Sequence, residues 1–112
     1  MIAYLHHILN ETRYLIGETE GLDIGVFHQD ETLIRAFVRS LEIIGEATKK
    51  LPDDLTRQYP QVEWRRIAGM RNRLIHSYFG IDYGIVWDVI ANKLPKFRAD
   101  IVAIMRQERE VP

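Results

Sequence analysis

The chain contains 112 residues, 46% hydrophobic and 28% charged, which predicts a single domain, residues 1–112, around one hydrophobic core. Its formal net charge of −1 excludes a surface that is basic throughout. The absence of cysteine excludes disulfides, cysteine metal sites and a cysteine nucleophile, and is compatible with a reducing cytoplasm. No apolar run approaches the roughly 20 residues that span a bilayer, and no secretory signal is evident, so we expect no membrane association.

Apolar residues recur at intervals of three and four along most of the chain, which is the period of an α-helix. A first helix is predicted from Ile2 to near Gly21, and the segment GLDIGVF that follows is interpreted as a connection because it contains two glycines. Asp30 is predicted to cap a second helix. That helix should end near Pro52, because proline lacks the amide that continues the helical hydrogen bonds.

The second half of the chain predicts two further helices. Residues 53–61 should form a short helical turn, and a third helix should run from about Val62 to Phe79, with Gly80 in the left-handed conformation that often ends a helix. Asp82 is predicted to cap a fourth helix, which Pro95 should kink or interrupt. No strand is evident. The sequence therefore predicts an all-α antiparallel up-down four-helix bundle, with a short extra helical turn between helices 2 and 3.

The segment GMRNRLIHSYFG, residues 69–80, places polar and ionisable side chains among core-type apolar residues. Four arginines and no acidic residue lie between Trp64 and Tyr78, so a polyanion would meet the chain here: Arg65, Arg66, Arg71 and Arg73. Gly69 inside a helix should cost roughly 1 kcal/mol relative to alanine. This cost indicates that a second helix packs closely at Gly69, either from the same bundle or from a second copy of the chain.

On one ideal helix, Arg71 and His76 point about 140° apart and do not share a face. In a two-fold dimer, each patch faces its own copy, so an arginine of one chain can approach the histidine of the other. The two side chains can therefore meet in a homodimer without distortion of the predicted third helix.

These groups suit cleavage of a phosphodiester. Histidine is the side chain that commonly changes charge near neutral pH, so His76 could exchange a proton with a ribose hydroxyl or a departing oxygen, while Arg71 offers a charged planar fork to phosphate oxygens. Asn72, one turn from His76, could orient the ring or hold a phosphate oxygen, and Arg73 adds supporting charge. No carboxylate cluster surrounds the stretch, so neither a metal nor another cofactor is expected. The nucleophile is then a 2′-hydroxyl, which indicates RNA. The spacing alone also favours a structural interpretation, in which the arginines reach solvent and the histidine is hydrogen-bonded in a partly buried helix.

Arg71, four residues and then His76 resemble the signature of the HEPN superfamily, and RNRLIHSY is similar to the R-x-x-x-x-H-x-Y motif of its HepT-like toxins. The stretch RAFVRSLEIIGEATKKLP from Arg35 resembles the second helix of that family. PQVEWRRIAGMRNRLIHSYFGIDYGIVWDVI resembles its third helix and the start of its fourth. The resemblance implies a helical homodimer and a composite ribonuclease cleft at the dimer interface.

The resemblance further implies the toxin of a type VII-like HEPN/MNT toxin–antitoxin pair. Its partner would be an MNT-type nucleotidyltransferase that neutralises it by transferring AMP from ATP to the motif tyrosine, here Tyr78. An alternative is a non-catalytic dimeric helical module that holds a nucleotidyltransferase partner. In that case the same residues bind phosphate without turnover.

Several other residues are better explained by packing or ion pairing than by chemistry. Adjacent His6 and His7 point about 100° apart, and His28 is isolated, so no zinc site is expected. Glu42 could bind a cation, contact Arg71, pair with another arginine or face solvent. Gly45 is expected to permit close packing of helices.

Overall fold

The computed structural model describes residues 2–76 and 80–108, and of Ile2, Ile75 and His76 it describes only the backbone. Within these residues the chain is almost entirely helical, which confirms the all-α class. The elements in chain order are α1 (Ile2–Thr19), α2 (Ile24–Gln29), α3 (Glu31–Lys49), α4 (Asp53–Gln58), α5 (Trp64–Ala68), α6 (Met70–Leu74), β1 (Ile75–His76), β2 (Gly80–Ile81), α7 (Tyr83–Asp88), a π-helical segment (Val89–Lys93) and α8 (Leu94–Gln107).

The long helices α1, α3 and α8 build most of the core, since α1 packs against both α3 and α8. The helices α5 and α6 both pack on α3. Fully buried side chains come from all three long helices and from α6, among them Leu5, Leu9, Phe37, Leu41, Met70, Leu74, Ile101 and Met105. Burial of these apolar surfaces is the main term that stabilises the fold.

Both predicted aspartate caps are confirmed. Asp30 accepts a hydrogen bond from the backbone N–H of Leu33 at 3.0 Å, and Asp82 accepts one from that of Ile85 at 3.0 Å. Each bond satisfies a donor in the first helical turn that has no partner within the helix.

The interpretation of GLDIGVF as a simple connection is wrong, because part of it begins α2. Asp23 caps this helix by accepting a hydrogen bond from Gly25 N–H at 2.8 Å. The helix then places Phe27 in the core, fully buried. A six-residue helix is too short to be stable alone, so burial of this ring is what holds it in place.

The predicted continuous third helix is also wrong, since the chain divides there into α5 and α6 at Gly69 and leaves the helical path after Leu74. Residues 75–76 and 80–81 instead form a two-stranded antiparallel sheet, with Ile75 opposite Ile81. The prediction of no strand is wrong to this extent. Gly80 does have positive φ, at 84°, but in a strand and not at a helix end. Both paired positions hold isoleucine, whose β-branched side chain favours a strand over a helix.

The interruption predicted at Pro95 is confirmed. Pro95 lies in the first turn of α8, and the π-helical segment immediately precedes it. Leu94 N–H donates to the carbonyl of Val89, five residues back, which is the π-helical pattern. Proline cannot donate the next helical hydrogen bond, so the ladder is rearranged at this point.

Among the described helices of this chain, close packing occurs at Gly45 and not at Gly69, and an approach to Gly69 by a second copy of the chain stays a prediction. A Cβ atom on Gly45 would lie 3.3 Å from the carbonyl oxygen of Ile67 and 3.4 Å from that of Ala68. At Gly69 it would meet only the Arg65 carbonyl, at 3.2 Å, so no other described helix of this chain approaches it. The glycine in α3 therefore sets the distance between α3 and α5.

Replacement of Gly45 by alanine is expected to lower the free energy of unfolding by about 1 kcal/mol, because two backbone carbonyls must move to admit the methyl group. Gly17 in α1 is the matched control, since no described atom would lie within 4 Å of a Cβ added there. Gly17→Ala should stabilise by roughly 0.5–1 kcal/mol through helix propensity alone. Urea unfolding measures both, and an equal gain from the two variants would contradict close packing at Gly45.

Candidate functional site

The arginine-rich segment is held on α3 by apolar side chains on its inner side. Ile67, Met70 and Leu74 are buried, and the indole N–H of Trp64 donates to the carbonyl of Tyr59 at 2.9 Å. The Trp64 ring also makes an edge contact with Phe97, with centroids 6.2 Å apart. These contacts anchor α5 and α6, so their remaining positions present polar side chains to solvent.

Arg71 on α6 contacts Glu42 on α3, which is one of the roles considered for this glutamate. Arg71 Nε–H donates to Glu42 Oε2 at 3.1 Å. The arginine side chain is 63% exposed and the glutamate side chain 24% exposed. Five further ion pairs in the described part of the chain each join residues only three or four positions apart. The Nη groups of Arg71 have no partner among the described residues, which leaves them available to an anion.

Arg73 and Asn72 take different positions on α6. Arg73 is half-buried, and its Nη2 approaches the carbonyl of Arg66 at 3.4 Å, a weak hydrogen bond. Asn72 is exposed, and its backbone N–H donates to the carbonyl of Gly69 at 3.2 Å. Arg73 is therefore partly used in holding the segment together, whereas the Asn72 side chain faces solvent.

The backbone of His76 lies in β1, paired with Gly80. Because α6 ends at Leu74, Arg71 and His76 do not share one helix, and the angle of about 140° on a helical wheel does not apply. The His76 side chain and the whole of Tyr78 lie outside the described residues. Their predicted roles therefore stay predictions.

A cleft of about 470 Å³ adjoins the Arg71–Glu42 pair, between α3 and β2. Its walls include Glu42, Ile81 and Tyr83, and an exposed ion pair between Glu31 and Arg35 at 2.6 Å lies along its edge. Sequence reasoning did not place α3 residues beside Gly80 and Ile81. No local signal could do so, since the two segments are about forty positions apart and meet only through the fold.

Within the described residues, no three His, Cys, Asp or Glu side chains are grouped so that they could hold a metal ion. No helix in that same part of the chain has the length and apolar character to cross a membrane.

These features define a class of protein: an all-α chain with an exposed arginine that four residues separate from a histidine. A family model described as Ribonuclease HepT-like matches residues 8–104. The chain therefore belongs to the HepT-like ribonuclease family.

Individual proteins that are similar to the chain are also named as ribonucleases. A candidate RNase of Caldanaerobacter subterraneus subsp. tengcongensis is 45% identical over 106 residues, covering 95% of this chain and 95% of its own length. A candidate RNase of Methanocaldococcus jannaschii is 42% identical over 104 residues, covering 93% of this chain and 86% of its own. A protein of Thermococcus cleftensis named as a probable ribonuclease HepT is 44% identical over 95 residues, covering 85% and 86%. No solved structure gives a significant match to the chain.

Proposed function

We propose that the protein is an endoribonuclease that cleaves cytoplasmic RNA by attack of a ribose 2′-hydroxyl, without a metal ion. Membership of the HepT-like ribonuclease family carries this proposal, together with the exposed Arg71 guanidinium held by Glu42. No cofactor is required, because the nucleophile belongs to the substrate and the charge on the phosphate is met by arginine.

The proposed reaction is a transphosphorylation in which His76 takes up or gives up a proton. The 2′-oxygen loses its proton to a base and attacks phosphorus, and the bond from phosphorus to the 5′-oxygen breaks. That oxygen takes up a proton from an acid, so the products are a 2′,3′-cyclic phosphate and a free 5′-hydroxyl. His76 serves as the base or the acid, Arg71 stabilises charge on the phosphate oxygens, and Asn72 and Arg73 support the site.

The proposed site is composite, with Arg71 of one chain facing His76 of a second chain in a homodimer. Two-fold symmetry then creates two equivalent clefts. The helices of each chain are proposed to form the antiparallel up-down four-helix bundle that the helical spacing of the sequence predicts, with α5 and α6 together in the place of its third helix.

Incubation of the purified protein with single-stranded RNA in excess EDTA tests the chemistry. The proposal expects undiminished cleavage and fragments that end in a 2′,3′-cyclic phosphate, identified by mass spectrometry. An RNA with 2′-O-methyl groups at every position is the control and should stay intact, because it lacks the nucleophile. Loss of activity in EDTA that Mg²⁺ restores would contradict the metal-independent mechanism.

Glu42 is expected to act as a positioning residue for Arg71. The arginine side of the pair is largely exposed, so the pair should contribute only about 0.2–1 kcal/mol to stability. Glu42→Ala should nevertheless lower kcat about tenfold, because the freed guanidinium is less often aligned with the phosphate. Glu42→Gln should recover most of the rate, since its amide oxygen still accepts from Nε–H.

Glu46, one turn further along α3, is the matched control for Glu42. Its only described ion pair is a long one to Lys49, at 3.9 Å. Glu46→Ala should leave kcat unchanged. Equal effects of the two alanine variants on cleavage would show that Glu42 has no special part in placing Arg71.

The biological role that we propose is that of the toxin in a type VII-like HEPN/MNT toxin–antitoxin pair. An MNT-type nucleotidyltransferase would neutralise it by transferring AMP from ATP to the hydroxyl of Tyr78, with release of pyrophosphate. A phosphate-bearing adduct two residues from His76 would occupy the cleft and compete for the charge of Arg71.

When the protein is incubated with that nucleotidyltransferase and ATP, its intact mass should rise in steps of one AMP. Its rate of RNA cleavage should fall as the modified fraction increases. Tyr78→Phe should abolish the rise, because it removes the acceptor oxygen. The matched control is Tyr83→Phe, whose exposed ring lines the neighbouring cleft and should leave modification unchanged. Undiminished modification of Tyr78→Phe would exclude this tyrosine as the acceptor.

A further inference from the structure

A second groove, of about 490 Å³, lies between the C-terminal end of α3, the helix α4 and the start of α5. Three cationic side chains and one carboxylate line it: Lys49, Arg57, Arg65 and Asp53. The groove is thus locally cationic in a chain whose net charge is −1. A local excess of positive charge in a concave surface attracts an anion.

The cationic side chains of this groove form only long ion pairs, or none, with other described residues. The Arg65 side chain is exposed and makes no hydrogen bond or ion pair to any described residue. Lys49 and Arg57 have carboxylate partners at 3.9 Å, and both side chains are more than half exposed. Ion pairs of this length and exposure contribute little, so an incoming phosphate can replace them at small cost.

The groove lies in line with Arg71 along α3. Helices α5 and α6 run antiparallel to α3, because Ala68 lies at Gly45 and Arg71 further on at Glu42. Lys49 follows Glu42 by seven residues, which at 1.5 Å each is a separation of roughly 10 Å along the helix axis. A single compact anion cannot contact both positions at this separation, whereas an extended strand that carries several phosphates can.

We propose that this groove, through Arg65 with Lys49 and Arg57, binds a phosphodiester of single-stranded RNA that flanks the bond cleaved at Arg71. The inference rests on the proposed ribonuclease function and adds to it a second contact with the substrate. Trp64, fixed by its hydrogen bond to Tyr59, supplies a rigid apolar wall beside the phosphate position. The groove is not expected to distinguish bases, since phosphate contacts position a strand without reading its sequence.

Binding is measured with 2′-O-methyl RNA, which cannot be cleaved, so the result does not depend on turnover. Fluorescence anisotropy at several salt concentrations gives the dissociation constant and its salt dependence. Arg65→Ala should weaken binding several-fold and reduce the slope of log affinity against log salt by about 0.7, the value for one phosphate contact on a single strand. Arg65→Glu should weaken binding further.

The matched control is Arg98→Ala on α8, an exposed arginine that does not line the groove. It should keep wild-type affinity and slope. Circular dichroism verifies that the Arg65 variants are folded, as expected for an exposed side chain. Lys49→Ala gives a second measurement on another helix and should also reduce the slope.

The outcomes separate this inference from the proposed function. Wild-type affinity and slope in both Arg65→Ala and Lys49→Ala would overturn the groove even if the protein cleaves RNA. Arg65-dependent binding without cleavage of unmodified RNA would support the groove and overturn the nuclease. An absence of any RNA binding by the wild-type protein would overturn both.

Discussion

Arg71→Ala and His76→Ala are each expected to lower kcat for RNA cleavage by about 10²–10³-fold. Loss of the arginine removes the charge that stabilises the phosphate in the transition state, and loss of the histidine removes the group that moves the proton. Initial rates at saturating RNA measure both. Arg98→Ala and His7→Ala, which change exposed side chains of the same types on α8 and α1, should retain wild-type rates.

Mixing the two inactive proteins tests whether the site is composite. When subunits exchange, one of the two clefts in each heterodimer combines an intact Arg71 with an intact His76, so part of the activity should return. A site formed within one chain cannot be restored in this way. A non-catalytic binding module would show no cleavage by the wild-type protein, the single variants or the mixture. One experiment therefore distinguishes a composite site, a site within one chain and a non-catalytic binding module.

Phe27→Ala is expected to lower the free energy of unfolding by about 3–5 kcal/mol, the range for removal of a buried aromatic ring. Phe27 is fully buried, and its ring centroid lies 5.5 Å from that of Phe37 and 5.1 Å from that of Trp87. It connects α2 to both α3 and α7. Urea unfolding measures the change, which is large compared with the stability of a domain of this size.

Val26 is the control on the same short helix, because its side chain is 55% exposed. Val26→Ala should change the free energy of unfolding by less than about 0.5 kcal/mol. Similar small losses from both variants would mean that α2 is only loosely attached and that the Phe27 ring does not secure it.

Features that depend on a few neighbouring residues were predicted correctly. The aspartates at positions 30 and 82 cap helices because their side chains reach an amide only three residues ahead. The helical register breaks before Pro95 because that residue has no amide hydrogen. The motif from Arg71 to His76 was likewise visible as a local pattern; the family that it resembles is confirmed, and the roles of the two residues stay predictions.

Features that depend on distant residues were predicted wrongly or only as one possibility among several. The segment after Gly69 reads as a continuous helix by its apolar period, yet pairing of Ile75 with Ile81 draws the chain into a short sheet. Gly45 and Gly69 look alike as helix glycines, and within the described part of one chain only Gly45 meets another helix. The choice of Arg71 as the partner of Glu42 joins positions 29 apart.

The sequence by itself determined the all-α class, the starts of the helices that Asp30 and Asp82 cap, and the residues that suit phosphate chemistry, because spacing and capping act over a few residues. Only the tertiary structure decided where the third helix breaks, which glycine lies in a tight contact and which carboxylate holds the arginine. These depend on surfaces that become neighbours only when the core is buried, and burial responds to the whole chain at once.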